Sequence, residues 1–376
     1  MRTLSPDDPT LTLFSVLRED GSADPSHDPF LPKETLLGMY RQMLRIRRID
    51  ERMLGKQRQG KVGFYGTITG QEATPIATAF ALKEGDWVFP ALRESSIMLC
   101  RGFSLTTWLA QVYGNAGDVQ KGRQMPSHQA GRAVNQVGWS SCIGPQVPQA
   151  VGAAMAEKRR HKKHGGDMNV MIGFLGDGAT SQPDFHAAMT FAAIEKPPVV
   201  IVCQNNHWSI SVPTAKQTAS QTLAVKAHAY GIRGARVDGN DVLATHRIIK
   251  EAVDRARAGE GPTFIECLTY RMGPHSSSDD PTRYRSNDEV ERWGKKDPLL
   301  RFTQYLRRSE ILTDEGLAAM ETELHEEFEK AIAEVEAFGP PSRESLFEDT
   351  FGGDLPPHLR EQQAELVNGP HAPTTH

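Results

Sequence analysis

Cysteine is scarce in this sequence. Its 376 residues include four, at positions 100, 142, 203 and 267, and no two have the C-x-x-C spacing typical of zinc and redox sites. Cys203 and Cys267 lie in apolar runs that are typical of buried strands. The pattern therefore excludes a disulfide framework, makes a zinc site improbable, and is typical of buried thiols in a reducing compartment.

Long apolar runs and charge of one sign are also lacking. No stretch approaches the eighteen or so apolar residues of a membrane span, and the formal net charge is −4, so no affinity for nucleic acid or anionic membranes is expected. Residues 1–32 are neither apolar like a secretory signal nor Arg-rich and acid-poor like a transit peptide. We therefore expect cytosolic residence.

The most informative stretch is residues 169–212. An apolar run at 170–175 predicts a buried strand, Gly176-Asp177-Gly178 a turn, and Ser181 with Pro183 the cap and first turn of a helix. Residues 199–203 predict a second buried strand, which Asn205-Asn206 closes. The order is strand, turn, helix, strand, which forms a right-handed parallel crossover by default.

In such a unit both strand ends meet at one edge of the sheet, where open α/β sheets bind ligands. Asp177 and Asn206 are thereby predicted to lie side by side. A carboxylate and an amide oxygen suit Mg²⁺, which binds few protein ligands together with phosphate oxygens. Glycines 176 and 178 allow close backbone approach, and the helix N-terminus favours an anion. The sequence predicts a metal-bridged diphosphate site.

Two alternatives compete for this stretch. It could be an ordinary strand–helix–strand unit with a glycine turn. It also approaches the dinucleotide fingerprint G-x-G-x-x-G, which requires an acidic residue near the end of the second strand. Residues 204–206 are Gln-Asn-Asn, without a carboxylate, so the metal-diphosphate interpretation is favoured.

Strand and helix patterns alternate along the rest of the chain, which predicts one doubly wound, mostly parallel α/β sheet with helices on both faces. We expect an extended arm at 1–32, the α/β domain with its C-terminal helices at 33–338, and a Pro-rich irregular tail at 339–376. A helix is expected at 146–158, followed by an exposed basic connector. The arm's composition is equally typical of plain disorder.

The motifs together resemble one family. GDG at 176–178 followed by NN at 205–206 resembles the thiamine diphosphate motif, and QKGRQMPSH at 120–128, SSCIGPQVPQAVGAA at 140–154 and TYRMGPHSSSDDPTRYRS at 269–286 are similar to α subunits of branched-chain 2-oxo acid dehydrogenases. The likeness covers most of the chain, from about residue 36 to residue 351. It implies the thiamine diphosphate-binding fold, specifically the half that binds diphosphate.

The resemblance assigns roles residue by residue. It implies that Asp177, Asn206 and the Trp208 carbonyl bind Mg²⁺, that His275 is the active-site histidine, and that His128 faces the active-site channel as a second catalytic candidate. The cofactor-binding set that it implies is Arg93, Ser141, Ile143, Gly176, Asp177, Gly178, Ala179, Gln204, Asn206 and His275. Leu92 replaces a family tyrosine and Gln204 a phosphate-binding arginine of some relatives. Ser276 and Ser286 match serines that are phosphorylated in animal relatives.

The implied activity is oxidative decarboxylation of a branched-chain 2-oxo acid with transfer of the acyl group to a lipoyl group on an acyltransferase core. The glutamate that activates the cofactor comes from a second domain in this superfamily. The resemblance therefore implies a β subunit and an α₂β₂ enzyme. Pyruvate and acetoin dehydrogenases remain as alternatives within this class. A non-catalytic α/β binding protein that has kept the fold is the alternative of another class.

Overall fold

A computed structural model describes residues 5–349 and 351–369. The strands are β1 (Trp87–Phe89), β2 (Met171–Gly176), β3 (Val199–Asn205), β4 (Trp208–Ser209), β5 (Val212–Pro213), β6 (Arg233–Asp238) and β7 (Thr263–Leu268). The main sheet has five parallel strands in the order β1-β2-β3-β7-β6, and a separate antiparallel pair is formed by β4 and β5.

Helices precede, connect and follow these strands. In chain order the α-helices of the described residues are α1 (Lys33–Arg58), α2 (Ala73–Ala81), α3 (Ser96–Cys100), α4 (Leu105–Tyr113), α5 (Gln146–His164), α6 (Pro183–Glu195), α7 (Lys226–Tyr230), α8 (Val242–Arg257), α9 (Asn287–Gly294), α10 (Pro298–Arg308), α11 (Asp314–Glu336) and α12 (Pro357–Asn368). None of them is long and apolar enough to cross a membrane.

The sheet is buried on both faces, as the apolar runs predict. Every residue of β3 is buried. One face packs against α5 and α6, with Val147 and Phe185 in its core cluster. The other face packs against α1, α2 and α8, with Met43 and Ile249 in the second cluster. The predicted fold class, a doubly wound parallel α/β sheet, is confirmed.

The N-terminal segment packs against the chain's own sheet. Phe14 forms an isolated parallel bridge with Val237 of β6, and the backbone N–H groups of Val16 and Leu17 each donate to Asp241 Oδ2 at 2.6 Å. Plain disorder is therefore wrong for residues 5–32, and this part of the arm lies on its own chain. Residues 1–4 of the arm lie outside the described residues.

Two local predictions are wrong. Helix α5 continues to His164 through the basic stretch predicted as a connector, because Lys and Arg are good helix formers, and it ends at Gly165 with φ 69°. The tail predicted to be irregular contains α12, which begins at Pro357 in the first-turn position that proline favours. Residues 350 and 370–376 of that tail lie outside the described residues.

Of the α1 arginines whose spacing indicates a solvated face, Arg52 and Arg58 are exposed, whereas Arg45, Arg47 and Arg48 are at least partly buried. Arg45 forms an ion pair with Glu327 of α11, and Arg48 with Glu321 of the same helix. Arg47 bonds Glu72, which is fully buried, and lies 2.9 Å from Asp297. Charged residues on α11 therefore cover this face, which the sequence of α1 alone cannot show.

Candidate active site

The candidate site is built at the carboxyl edge of the sheet. Gly176 of β2 lies opposite Gln204 of β3 in the parallel register, so the residues that follow each strand emerge at the same edge. Asp177 and Asn206 both line one cavity of about 310 Å³. This volume is at the lower end of the range for small-molecule sites.

Asp177 is a buried carboxylate, 2% exposed. Its Oδ2 accepts hydrogen bonds from Thr214 Oγ1 at 2.9 Å and Gln217 Nε2 at 3.0 Å. Burial raises the pKa of the Asp177 carboxyl above its usual range. Among the described residues it forms no ion pair within 4.0 Å. Since buried charges are normally paired or bound to metal, the carboxylate suits a cation.

The Asn206 amide is fixed in orientation. Its Oδ1 accepts from the Trp208 N–H at 3.1 Å, a group that can only donate, and its Nδ2 donates to Gln71 Oε1 at 2.9 Å. The Trp208 carbonyl accepts from Arg271 Nη1 at 3.3 Å. The Trp208 carbonyl, the third predicted metal ligand, therefore already accepts one hydrogen bond from a cationic group. Its second lone pair is available to a metal ion.

The glycine turn brings the backbone close to this edge. A Cβ on Gly178 would lie 2.3 Å from Ser209 Oγ, whereas a Cβ on Gly176 would meet no atom within 4 Å. Residues Asp177–Ser181 form a 3₁₀ turn, and α6 begins only at Pro183. The expected α-helical N-terminus is therefore not at Gly178, and Ser181 does not cap α6, because its hydroxyl donates to Gln217 O.

We expect Gly178→Ala to destabilise the protein by about 1–3 kcal/mol, because Ser209 and Gln217 must shift to admit the methyl group. The measurement is the midpoint of denaturant unfolding. Gly152→Ala in α5 is the matched control, since its Cβ would meet nothing within 4 Å and alanine favours a helix. Equal stability of the two variants would contradict the close approach at Gly178.

Arg93 is enclosed in the cavity wall. It is 6% exposed, and its guanidinium donates to Thr67 O and to His275 O, the latter at 2.9 Å. Burial lowers its pKa to about 10, so it carries its charge at neutral pH. A buried, fixed guanidinium can form paired hydrogen bonds to phosphate.

Gln204 places a neutral amide on the cavity wall. Its Nε2 donates to Glu94 Oε1, and both side chains line the cavity. Burial raises the pKa of Glu94 to about 7. Gln204 is therefore at the predicted place, but it is bound to a carboxyl group on the cavity wall.

His275 lies in the loop that follows β7. Its backbone N–H donates to Asp279 Oδ2 at 2.7 Å, its carbonyl is held by Arg93, and its side chain lines the cavity. Burial, followed by the charges of Arg93 and Arg271, lowers its pKa to about 4. The imidazole is therefore neutral at pH 7.

The two serines implied by the resemblance differ in accessibility. Ser276 is buried, 6% exposed, and its Oγ lies 3.1 Å from Ser278 Oγ. Ser286 is the N-cap of α9 and accepts from the Glu289 N–H. Modification of Ser276 would require this loop to open, whereas Ser286 lies at a helix end.

His128 is not in the lining of this cavity, but it contacts Ser141 and Trp139, which are, so its place facing the channel stays a prediction. It stacks on Trp139, with ring centroids 3.7 Å apart. Its Nδ1 faces Pro126 O, which can only accept, so Nδ1 carries the proton. Nε2 therefore accepts from Ser141 Oγ at 2.5 Å. His128 orients Ser141, which lines the cavity together with Ile143 and Ala179.

Gln71 and Glu94 line the cavity although the sequence does not predict them as site residues. Gln71 is fully buried, and its Nε2 has no hydrogen-bond partner among the described residues. An unpaired buried donor favours an anionic ligand. Glu94 has no signal beyond following Arg93 in sequence. Arg271, which also lines the cavity, belongs to the motif at 269–286.

These features fit a metal-bridged diphosphate. The cavity lining offers a carboxylate, an amide oxygen and a backbone carbonyl for a cation, and it also holds Arg93, the unpaired Gln71 amide and an open glycine for an anion. No group of three or more His, Cys, Asp or Glu side chains in the described part of the chain could hold a metal ion. A metal site at this edge of the sheet would therefore use amide and carbonyl oxygens beside the Asp177 carboxylate, which Mg²⁺ accepts as ligands.

Comparison with known proteins identifies the family of this chain. Residues 40–344 match the sequence profile of the family described as "Dehydrogenase E1 component". The chain belongs to this family. It is similar to 2-oxoisovalerate dehydrogenase subunit alpha, mitochondrial, from Macaca fascicularis, at 39% identity over 97% of this chain and 82% of that protein.

Similarity extends to more distant organisms. The Caenorhabditis elegans protein of the same name is 39% identical over 96% of this chain and 83% of its own length. The Arabidopsis thaliana subunit alpha 2 is 40% identical over 88% of this chain and 69% of its own length. The family predicted from the sequence motifs is confirmed.

The names of these relatives correct the predicted location. The composition of residues 1–32 led us to expect cytosolic residence, but the relatives are named as mitochondrial proteins. The cytosolic prediction is wrong by this comparison. Its weakness is that the composition of one acidic stretch reports how that stretch is solvated and does not determine the compartment.

Proposed function

We propose that this chain is the α subunit of a thiamine diphosphate-dependent 2-oxo acid dehydrogenase component that decarboxylates branched-chain substrates. The observation that carries the proposal is the convergence of Asp177, Asn206 and Arg93 on one cavity at the sheet's carboxyl edge. The names of the relatives support the same activity.

Mg²⁺ would be held by Asp177, by Asn206 Oδ1 and by the Trp208 carbonyl. The diphosphate would be held by Arg93 and by the backbone of residues 176–179, with Gln71 as a neutral donor. Gln204, Ser141 and Ile143 line the same cavity, and Ser141 and Ile143 would contact the aminopyrimidine. Thiamine diphosphate, when bound, supplies the carbanion chemistry of decarboxylation.

The chain's own residues provide binding, orientation and proton handling. His275 lines the cavity and has a neutral ring that can hold or deliver a proton at a ring nitrogen. Arg271, 1% exposed, is fixed by Ile210 O and Tyr284 Oη at 2.7 Å each. Its charge lies at the same edge as His275 and suits the carboxylate of a 2-oxo acid. The acyl group would then pass to a lipoyl group on an acyltransferase core.

A β subunit would complete the site. Glu94 is the one glutamate in the cavity lining of the described residues, and it is engaged by Gln204. The activating glutamate must therefore come from elsewhere. Met125, Ile143 and Ile210 line the cavity and are 57%, 49% and 48% exposed. Apolar side chains exposed around a cavity are typical of an interaction surface, which supports a partner chain at this face; we propose that this partner is the β subunit of an α₂β₂ enzyme.

The experiment compares kcat/KM for 2-oxoisovalerate and pyruvate in the assembled enzyme. We expect 2-oxoisovalerate to be favoured by at least about tenfold, the smallest discrimination typical of extra apolar carbons in a fitted pocket. Preference for pyruvate or activity on acetoin would overturn the branched-chain assignment. Tight cofactor binding without turnover of any 2-oxo acid would indicate a binding protein.

A further inference from the structure

Asp50 of α1 is a buried carboxylate that the proposed mechanism does not use. It is 1% exposed. Oδ1 accepts from Tyr65 Oη at 2.8 Å. Oδ2 accepts from the N–H groups of Ile68 and Thr69, at 2.8 and 2.9 Å, and from Thr69 Oγ1 at 2.7 Å. All four donors belong to residues 64–70, which we name the anchor segment.

The anchor segment is bonded in turn to the loop that carries His275. The Ser277 N–H donates to Tyr65 O at 2.9 Å, and the Met272 N–H donates to Thr69 O at 3.3 Å. These two contacts lie on either side of His275 in sequence. The Tyr65 N–H also donates to Ser277 Oγ at 3.2 Å.

The same segment supports Arg93. The Thr67 carbonyl accepts from the Arg93 guanidinium, whose second nitrogen bonds His275 O at 2.9 Å. The position of Gly273 is equally tight, because a Cβ there would lie 2.9 Å from Thr67 Oγ1. A shift of the anchor segment would therefore move the Arg93 guanidinium and the histidine backbone together.

We propose that Asp50 is a positioning residue for the reaction, which sets His275 and Arg93 by fixing the anchor segment. This rests on the proposed function only for the role given to His275. The hydrogen-bond relay itself can be measured without turnover. Misplacement of a catalytic group by about 1 Å can cost about 100-fold in rate.

The test compares Asp50→Ala with Asp50→Asn. Asparagine can keep the geometry, because Oδ1 can accept the three bonds now made to Oδ2 and Nδ2 can donate to Tyr65 Oη. Hydrogen exchange of the full chain is followed by mass spectrometry in peptides that cover residues 271–279. The kcat of the assembled enzyme is measured in parallel.

We expect Asp50→Ala to speed exchange of the Met272 and Ser277 amides by about tenfold and to lower kcat by about 100-fold. Asp50→Asn should keep most of the native protection of these amides from exchange and most of the native kcat. The matched control is Asp241→Ala, which removes an equally buried carboxylate whose bonds go to Val16, Leu17, Leu243 and Ala244. It should leave exchange in 271–279 unchanged.

The relay would be overturned if hydrogen exchange in residues 271–279 is unchanged in Asp50→Ala. It would also be overturned if exchange there is accelerated equally in Asp241→Ala. Equal losses in Asp50→Asn and Asp50→Ala would overturn the hydrogen-bond basis. If Asp50→Ala does not fold, Tyr65→Phe removes one bond, and the proposal then requires about twofold faster exchange at Ser277; no change would reject it. If exchange changes as expected in Asp50→Ala but the native assembled enzyme turns over no 2-oxo acid, the result contradicts the proposed function and not the hydrogen-bond relay.

Discussion

Replacing His275 with alanine is expected to lower kcat for 2-oxoisovalerate by about 10²–10⁴-fold, the range for loss of a positioned general acid or base. The affinity for thiamine diphosphate should change far less, because Arg93 and the oxygens of Asp177 and Asn206 remain. The backbone of residue 275 is held by Asp279 and Arg93. The substitution therefore removes the ring and leaves the loop in place. Steady-state kinetics of the assembled enzyme with a lipoyl acceptor provide the measurement.

The matched control is His228→Ala. His228 lies outside the cavity lining and contacts Thr10 and Asp8 of the N-terminal segment. Its removal should leave kcat within about twofold, as expected for a surface substitution away from the site. An unchanged kcat in His275→Ala, or an equal loss in both variants, would contradict the role of His275.

Replacing Asp177 with asparagine is expected to weaken Mg²⁺-dependent binding of thiamine diphosphate by at least about 100-fold, the upper range for disturbing even the supports of a metal ligand. Asparagine can still accept from Thr214 and Gln217 through its carbonyl oxygen, so the local packing is retained. It loses the charge and presents N–H groups toward the cation. Titration calorimetry of the assembled enzyme at fixed Mg²⁺ measures the affinity.

Asp184→Asn is the matched control for Asp177→Asn. Asp184 lies in the first turn of α6, is exposed, and is not in the cavity lining. The Asp184→Asn substitution removes the same charge seven residues from Asp177 and should leave the affinity for thiamine diphosphate unchanged. If Asp177→Asn binds the cofactor as tightly as the native chain, the metal assignment fails.

The sheet could be predicted because its signals are local. The buried runs of β2 and β3 are short, apolar and bounded by Gly-Asp-Gly and Asn-Asn, and parallel strands place their carboxyl ends at one edge. Asp177 and Asn206 could therefore be paired before the structure was known. The loop that carries His275 follows the end of β7, which favours a site there, but the roles of His275 and Ser141 came from motif resemblance.

The remaining contacts depend on long-range packing. Asp50 lies in the middle of a regular amphipathic helix, and its function depends on a loop that the helix pattern does not describe. Gln71 has no local sequence signal for a site, although its side chain lies against Asn206. The spacing of Arg45 and Arg48 indicates a solvated face because it does not reveal their acidic partners, which are about 270–280 residues later in the chain. Helix α12 was missed because flanking prolines indicate irregular chain.

The most direct test of the metal-bridged diphosphate is crystallography of the assembled enzyme with thiamine diphosphate and Mn²⁺ in place of Mg²⁺, using anomalous scattering to locate the metal. We expect one manganese ion that contacts Asp177, Asn206 Oδ1 and the Trp208 carbonyl and also contacts the diphosphate. A manganese ion bound elsewhere, or a diphosphate that lies away from these three oxygens, would contradict it.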